Sequence, residues 1–366
     1  MDTSSPDSAW SRALPGLTLM VLSPLLSEIL PGATRFSSIF VLPIEICMWG
    51  GGALLIRYAM RRWDLGWRNV VCLALALSVA EECLIQQTSL APLVVQIKGL
   101  AYARAGGVNY LYLLWALAYE TVFVVVAPIY LAELIFQQRK RGLWAGGKGL
   151  VVVPMLFGVG TVLAWFSWTQ IARPKVFHVP VYNPPVAHVL TAATILVGLV
   201  VVALGPWRRQ LGQPASPMSP PKPMWLGWWA FWWAALLYGL VVLAFGIAPQ
   251  FPVWIALAVW CVLACSGWVL LPAWSAHPAW GTMHGFGTLF GLLLGSMVPS
   301  FAGFIGGLRM DLYFKVVVDM LACAGLVVVW RRLRRAAALE AGDGAGAGAG
   351  ADRAGFDENM DSWRRV

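Results

Sequence analysis

The stretch SVAEECLIQQTS, residues 78–89, sets Glu81, Glu82, Gln86 and Gln87 inside an apolar run that begins near Val70. Further acids interrupt other apolar runs: Glu28, Glu45, Glu120, Glu133 and Asp319. An ionised side chain at the centre of a bilayer costs ~2.5–3.5 kcal/mol on insertion scales, so such groups face protein or water and need partners. Protonatable carboxyls at that depth can carry protons, bind a cation or a basic group, or activate water. The candidate ligand- or ion-binding residues are therefore Glu45, Glu81, Glu82, Gln86 and Glu120, and Glu81 with Glu82 would be catalytic if the chain is an enzyme. The alternative role is structural, with neutral glutamates hydrogen-bonded to neighbouring helices and Tyr119, Thr121, Arg57 or Arg35 as partners.

The elements that position these groups follow from composition. Of 366 residues, 59% are apolar and 12% charged, and the apolar residues come in runs long enough to cross a bilayer, ~20 residues each. Runs so continuously apolar are helices and not barrel strands, because a helix satisfies its own backbone groups in lipid. An all-α polytopic transmembrane bundle of about ten spans is expected, at 14–31, 37–60, 69–92, 109–136, 149–170, 186–207, 224–247, 251–272, 284–306 and 312–330. Alternate loops then collect nineteen of the 26 Lys and Arg on one side, which places the N-terminus and C-terminus in the cytoplasm. On the same count Glu28, Glu45, Glu81, Glu120 and Asp319 fall in the outward half and Glu133 near the inner surface. Along helix three, Ser78, Glu82, Gln86 and Ser89 share one face and Glu81 points about 100° away.

The chain divides into a cytoplasmic N-tail 1–13, membrane helices one to six with the acidic cluster at 14–207, a Pro/Ser-rich cytoplasmic loop 208–223, helices seven to ten at 224–335, and a disordered cytoplasmic C-tail 336–366. The tail AAALEAGDGAGAGAGADRAG is too poor in large apolar residues to offset its ordering entropy. Net charge is +9, but no basic patch interleaved with aromatics is present on a soluble domain, so no nucleic-acid partner is expected. All six cysteines lie within expected spans and read as packing residues; neither metal nor cofactor is called for.

Three patterns read as packing. Trp225, Trp228, Trp229, Trp232 and Trp233 occupy one helical face at a membrane entry, an aromatic belt continued as a packing stripe. Gly287, Gly291 and Gly295, spaced by four, admit close approach of another helix, within the chain or in a second copy, where they would support a homo-oligomer. Gly50–Gly52 weaken their helix by ~1 kcal/mol each relative to alanine and mark a kink, a close crossing or a hinge. Asp311, Lys315 and Asp319 form an i, i+4 ladder that answers Asp319 locally.

At AEECLIQQ the chain resembles the first motif of CPBP-type intramembrane proteases, in which a Glu-Glu pair precedes an arginine four residues after the second glutamate. The match covers Glu81 and Glu82, with Gln86 in the arginine's place and no later histidine motif. The resemblance implies a water-activating glutamate acting with histidines and a metal. The run SEILPGATRFSS, WGGGALLIRY, AEECLIQQ and APIYLAEL also resembles a group of multi-span bacterial membrane proteins, a resemblance that implies no activity. Three functions compete: a proton- or cation-linked secondary transporter, a CPBP-like intramembrane hydrolase, and a membrane assembly or scaffold protein. The expected partners are the lipid bilayer and protons or a small cationic solute. The expected location is a bacterial inner membrane, since arginine exceeds lysine and Ala and Gly abound, as in GC-rich genomes.

Overall fold

The computed structural model describes residues 9–92, 103–213, 215–242, 248 and 250–351. It is nearly all helix: α1 (9–29), α2 (Phe36–Arg62), α3 (67–85), α4 (Tyr110–Ile135), α5 (Gly149–Val176), α6 (Val186–Leu204), α7 (Pro223–Val241), α8 (Val253–Ser275), α9 (Thr282–Phe304) and α10 (Arg309–Ala351). A two-residue hairpin, β1 (Arg104–Ala105) with β2 (Val108–Asn109), precedes α4. Among the described residues eight helices, α2 and α4–α10, are long and apolar enough to cross a membrane. α1 and α3 lie outside that set; α3 carries Arg68, Glu81 and Glu82 in its short length. Large apolar side chains such as Val151, Val186, Trp254 and Val262 are exposed, which is the surface a lipid-facing helix presents.

Every span expected from the sequence coincides with a helix, and the ends differ for local reasons. α1 is helical from the first described residue, Ala9, and Arg139 donates to the Ser11 carbonyl (2.5 Å) and hydroxyl (3.0 Å). α3 stops at Ile85 and not at 92, because Gln87 adopts φ +62° and turns the chain. α10 continues through Ala351 into the stretch expected as a flexible tail. Residues 1–8, 243–247 and 352–366, to which the expected tails and the end of the seventh span extend, lie outside the described residues. The chain forms two compact units, 1–321 and 322–366. Within the second, Arg334 lies over the Trp330 ring at 5.0 Å.

The first unit's core is built mainly by α1–α6 around Leu19, Met48, Ala53, Val70, Ala74, Val124 and Ile129. Gly50–Gly52 sit in it as a close crossing. A Cβ on Gly50 would lie 2.6 Å from Met20 Cα of α1, and one on Gly51 3.2 Å from Phe157 Cβ of α5. The triplet therefore removes bulk where three helices meet. Gly287, Gly291 and Gly295 of α9 do the same against α7, facing Pro223, Gly227 and Phe231 of the same chain. The tryptophan stripe divides. Trp225, Trp228 and Trp232 are exposed, while Trp233 donates to the Leu263 carbonyl of α8 (2.9 Å) and Trp229 meets Trp274 edge-on.

Asn69 closes the end of α6. Fully buried, its amide donates to the Ala203 carbonyl (2.9 Å), a group the helix end leaves unpaired, and to the Arg208 carbonyl (3.0 Å), which also accepts from the Gly212 N–H. Asn69→Ala should lower stability by about 2 kcal/mol, as expected when a buried carbonyl loses its donor. Denaturant-induced unfolding in micelles reads this directly, and a loss under about 0.5 kcal/mol would mean that other donors satisfy these carbonyls.

The expected Asp319 ladder is present in altered form. Lys315 pairs with Asp319 and lies over the Phe301 ring (4.6 Å), while Asp311 accepts from the Ser37 backbone N–H (2.9 Å) and hydroxyl (3.0 Å) of α2.

Candidate functional site: a carboxyl cluster shared by four helices

α1 to α4 each contain a π-helical turn, at Leu25–Ile29, Ile46–Gly50, Ala80–Ile85 and Glu120–Val126. Glu28, Glu81, Glu82 and Glu120 lie within these turns and Glu45 immediately before one. A π turn takes in an extra residue per turn, displaces the side chains that follow, and recurs at functional sites. Prolines account for part of it: Pro24 precedes the turn in α1 and Pro128 follows that in α4, each removing a backbone donor that an α-helix would use.

Glu45, Glu81, Glu82 and Glu120 are buried, from 3% exposed for Glu120 to 6% for Glu45, and Glu28 is partly buried. Glu120 hydrogen-bonds both Glu81 and Glu82. A carboxyl donates only when it carries a proton, so a hydrogen bond within this trio requires at least one of the three to be protonated. Trp49 Nε1 donates to Glu81 Oε2, Gln86 Nε2 to Glu81 Oε1 (3.3 Å), and the Ser89 hydroxyl to Glu82 Oε2 (2.6 Å). Glu28 accepts from the Tyr119 hydroxyl and lies close enough to Glu45, Glu81 and Glu82 for their charges to interact. Glu45 Oε1 accepts from the Thr34 hydroxyl at 2.5 Å.

No lysine or arginine among the described residues pairs with these five. The cations named as structural partners are used elsewhere. Arg57, fully buried, has its Nε 3.2 Å from Glu133, donates to the Gly142 and Lys140 carbonyls, and lies 3.1 Å over the Trp144 ring. Arg35 donates to the Gly303 carbonyl (2.8 Å) and covers Phe304. Several buried polar atoms in and beside the cluster have no hydrogen-bond partner: Glu45 Oε2, Glu120 Oε2, Ser27 Oγ, Thr121 Oγ1, Gln87 Oε1 and the Tyr238 hydroxyl.

The expected residues Glu45, Glu81, Glu82 and Glu120 thus meet, with Glu28 as a fifth member, while Glu133 belongs to the arginine pair. Gln86 joins through Glu81 and not Glu82. The π turn bonds Gln86 N–H to the Glu81 carbonyl (2.8 Å) and so stacks residue 86 over residue 81, overriding the α-helical spacing. Ser78 turns back to the Ala74 carbonyl (3.0 Å). Trp49, Thr34, Tyr112 and Tyr238 were not apparent from sequence. Trp49 had one signal, its position four residues after Glu45; Tyr238 had none, being on α7.

Such a site can store, share and pass protons and can receive a cation. Among the described residues no group of three or more His, Cys, Asp or Glu is arranged to hold a metal ion. The histidines with described hydrogen bonds are engaged elsewhere: His188 with Gly106, His277 with Ala279 and His284 with Gly281.

The class follows from these features: a nearly all-α chain with the make-up of a multi-pass membrane protein and a largely buried carboxyl cluster with which no lysine or arginine among the described residues pairs. Comparison with protein-family models, with curated proteins and with solved structures finds no match.

Proposed function

We propose that the chain is a proton- or cation-linked secondary transporter whose coupling site is the carboxyl cluster of α1–α4. The observation that carries this reading is the Glu81–Glu82–Glu120 trio, three buried carboxyls on two helices facing one another, with no arginine or lysine among the described residues paired to them. A structural role would be served by neutral amides at lower cost; buried ionisable groups that face one another are what a proton relay needs. The π turns support it, because they place every one of these side chains on the same interior. With α1 and α3 counted, ten helices cross the membrane, and the charge split puts both termini in the cytoplasm, in a bacterial inner membrane by composition. The hydrolase and scaffold readings have less support, since no histidine joins Glu81 and Glu82 and the α9 glycines are occupied by α7 of the same chain.

The test is uptake into proteoliposomes under an imposed pH gradient, over a broad solute panel. Gradient-sensitive uptake of at least one solute is expected, abolished in Glu82→Gln, which keeps shape and removes the titrating proton. Wild-type vesicles indistinguishable from empty ones across the panel would discard the reading.

A further inference from the structure

The cluster has two ends of different character. At the α3–α4 end the carboxyls engage one another, with Glu120 Oε2 left unpartnered. At the α1–α2 end they do not. Ser27 Oγ, beside Glu28 in the chain and fully buried, has no partner, and neither has Glu45 Oε2. The Tyr238 hydroxyl, on a residue 7% exposed, is likewise unpartnered and lies within reach of the Glu28 charge. Glu45 Oε2 and the Tyr238 hydroxyl therefore stand unmatched near one carboxylate, with Ser27 Oγ unmatched on the adjoining residue, whereas most buried polar atoms in proteins are hydrogen-bonded.

The surroundings are aromatic. Tyr119, which donates to Glu28, stacks on Trp115 (4.9 Å between centroids), and Tyr238 meets Trp115, Tyr119 and Phe123 edge-on at 6.0, 6.0 and 5.6 Å. Aromatic rings beside carboxylates favour a weakly hydrated organic cation over a bare alkali ion, which gains nothing from an apolar wall. A primary ammonium brings three N–H donors for the carboxylates and the unmatched oxygens, and a carbon body for the rings.

We propose that the Glu28–Glu45 end, with Ser27 and Tyr238, is a binding site for a primary alkylammonium cation, the cargo of the carrier. The proposal rests on the transporter reading and names its substrate class.

The experiment is calorimetric titration of the purified full chain in nanodiscs with n-butylammonium, set against sodium and tetramethylammonium chloride at equal ionic strength. Butylammonium should bind at least tenfold more tightly than either, since tetramethylammonium has the charge without N–H donors and sodium has no body for the rings. Tyr238→Phe, which keeps the ring, and Glu45→Gln should each weaken butylammonium about tenfold or more, as loss of a hydrogen bond to a charged group does. The lipid-facing Cys261→Ser serves as the unchanged control. Equal affinity for the three salts, or butylammonium binding indifferent to both variants, overturns the proposal. If butylammonium fails while gradient-driven uptake of another solute still requires Glu82, the substrate class is wrong and the carrier stands; if both fail, both fall.

Discussion

Arg57→Ala is expected to destabilise the protein by about 3–5 kcal/mol, the loss typical of breaking one side of a buried ion pair. Arg57 is fully buried, and its guanidinium serves Glu133, the Lys140 and Gly142 carbonyls and the Trp144 face together. Removing it leaves two loop carbonyls without their donor and leaves Glu133 to Arg61 alone, at 2.5 Å from a side chain partly open to solvent. Arg57→Lys should recover less than half of the loss, because one ammonium cannot span the carboxylate and both carbonyls or stack flat on tryptophan. Equilibrium unfolding in mixed micelles measures both. A loss below about 1 kcal/mol for the alanine variant would mean that this pair is no stronger than a surface bridge. The location matters for function too: α2 and α4 are clamped here and carry Glu45 and Glu120 further along, so the clamp fixes the two helices on which the cluster depends.

Gly291→Leu is expected to be comparably damaging, at about 3 kcal/mol, the upper part of the range for overpacking. Even the first atom of a side chain at this position would come 2.8 Å from the Gly227 carbonyl carbon of α7. Gly287 and Gly295 face equally close backbone, at Pro223 and Phe231, so the helix cannot shift along its axis to make room. The damage should appear as a lower unfolding midpoint with the particle mass unchanged, because the contact is within one chain. A variant of normal stability that dissociates from a dimer to a monomer would instead restore the row to an interface between copies.

The glycine row and the tryptophan stripe show where sequence reading succeeds and stops. Spacing by four was enough to say that Gly287, Gly291 and Gly295 admit another helix, but not which helix, since the partner Gly227 lies sixty-odd residues away and carries no complementary signal. For the tryptophans, a single face of five rings became two. Trp229 and Trp233 turn to α8 while three remain on the outside, a division set by where α8 packs.

The carboxyl site divides in the same way. That Glu45, Glu81, Glu82 and Glu120 needed partners was evident from their placement in apolar runs, because desolvation of a charged group is a local cost that composition reveals. That Arg57 and Arg35 would be committed elsewhere was not, since each is within reach of several acids when only height in the membrane is known. Gln86 was placed on the wrong glutamate because α-helical periodicity was assumed through residues 80–85, where the backbone is π-helical.

By itself the sequence determined the solvent and the secondary structure: long apolar runs require helices in lipid, and the period of the backbone hydrogen bond is local. Only the tertiary structure decided which carboxyls meet, which oxygens remain unmatched and which cations are spent elsewhere. Those outcomes depend on how four widened turns from separate helices meet, and a hydrogen bond across that interior is made or lost within about an ångström, finer than any spacing along the chain can specify.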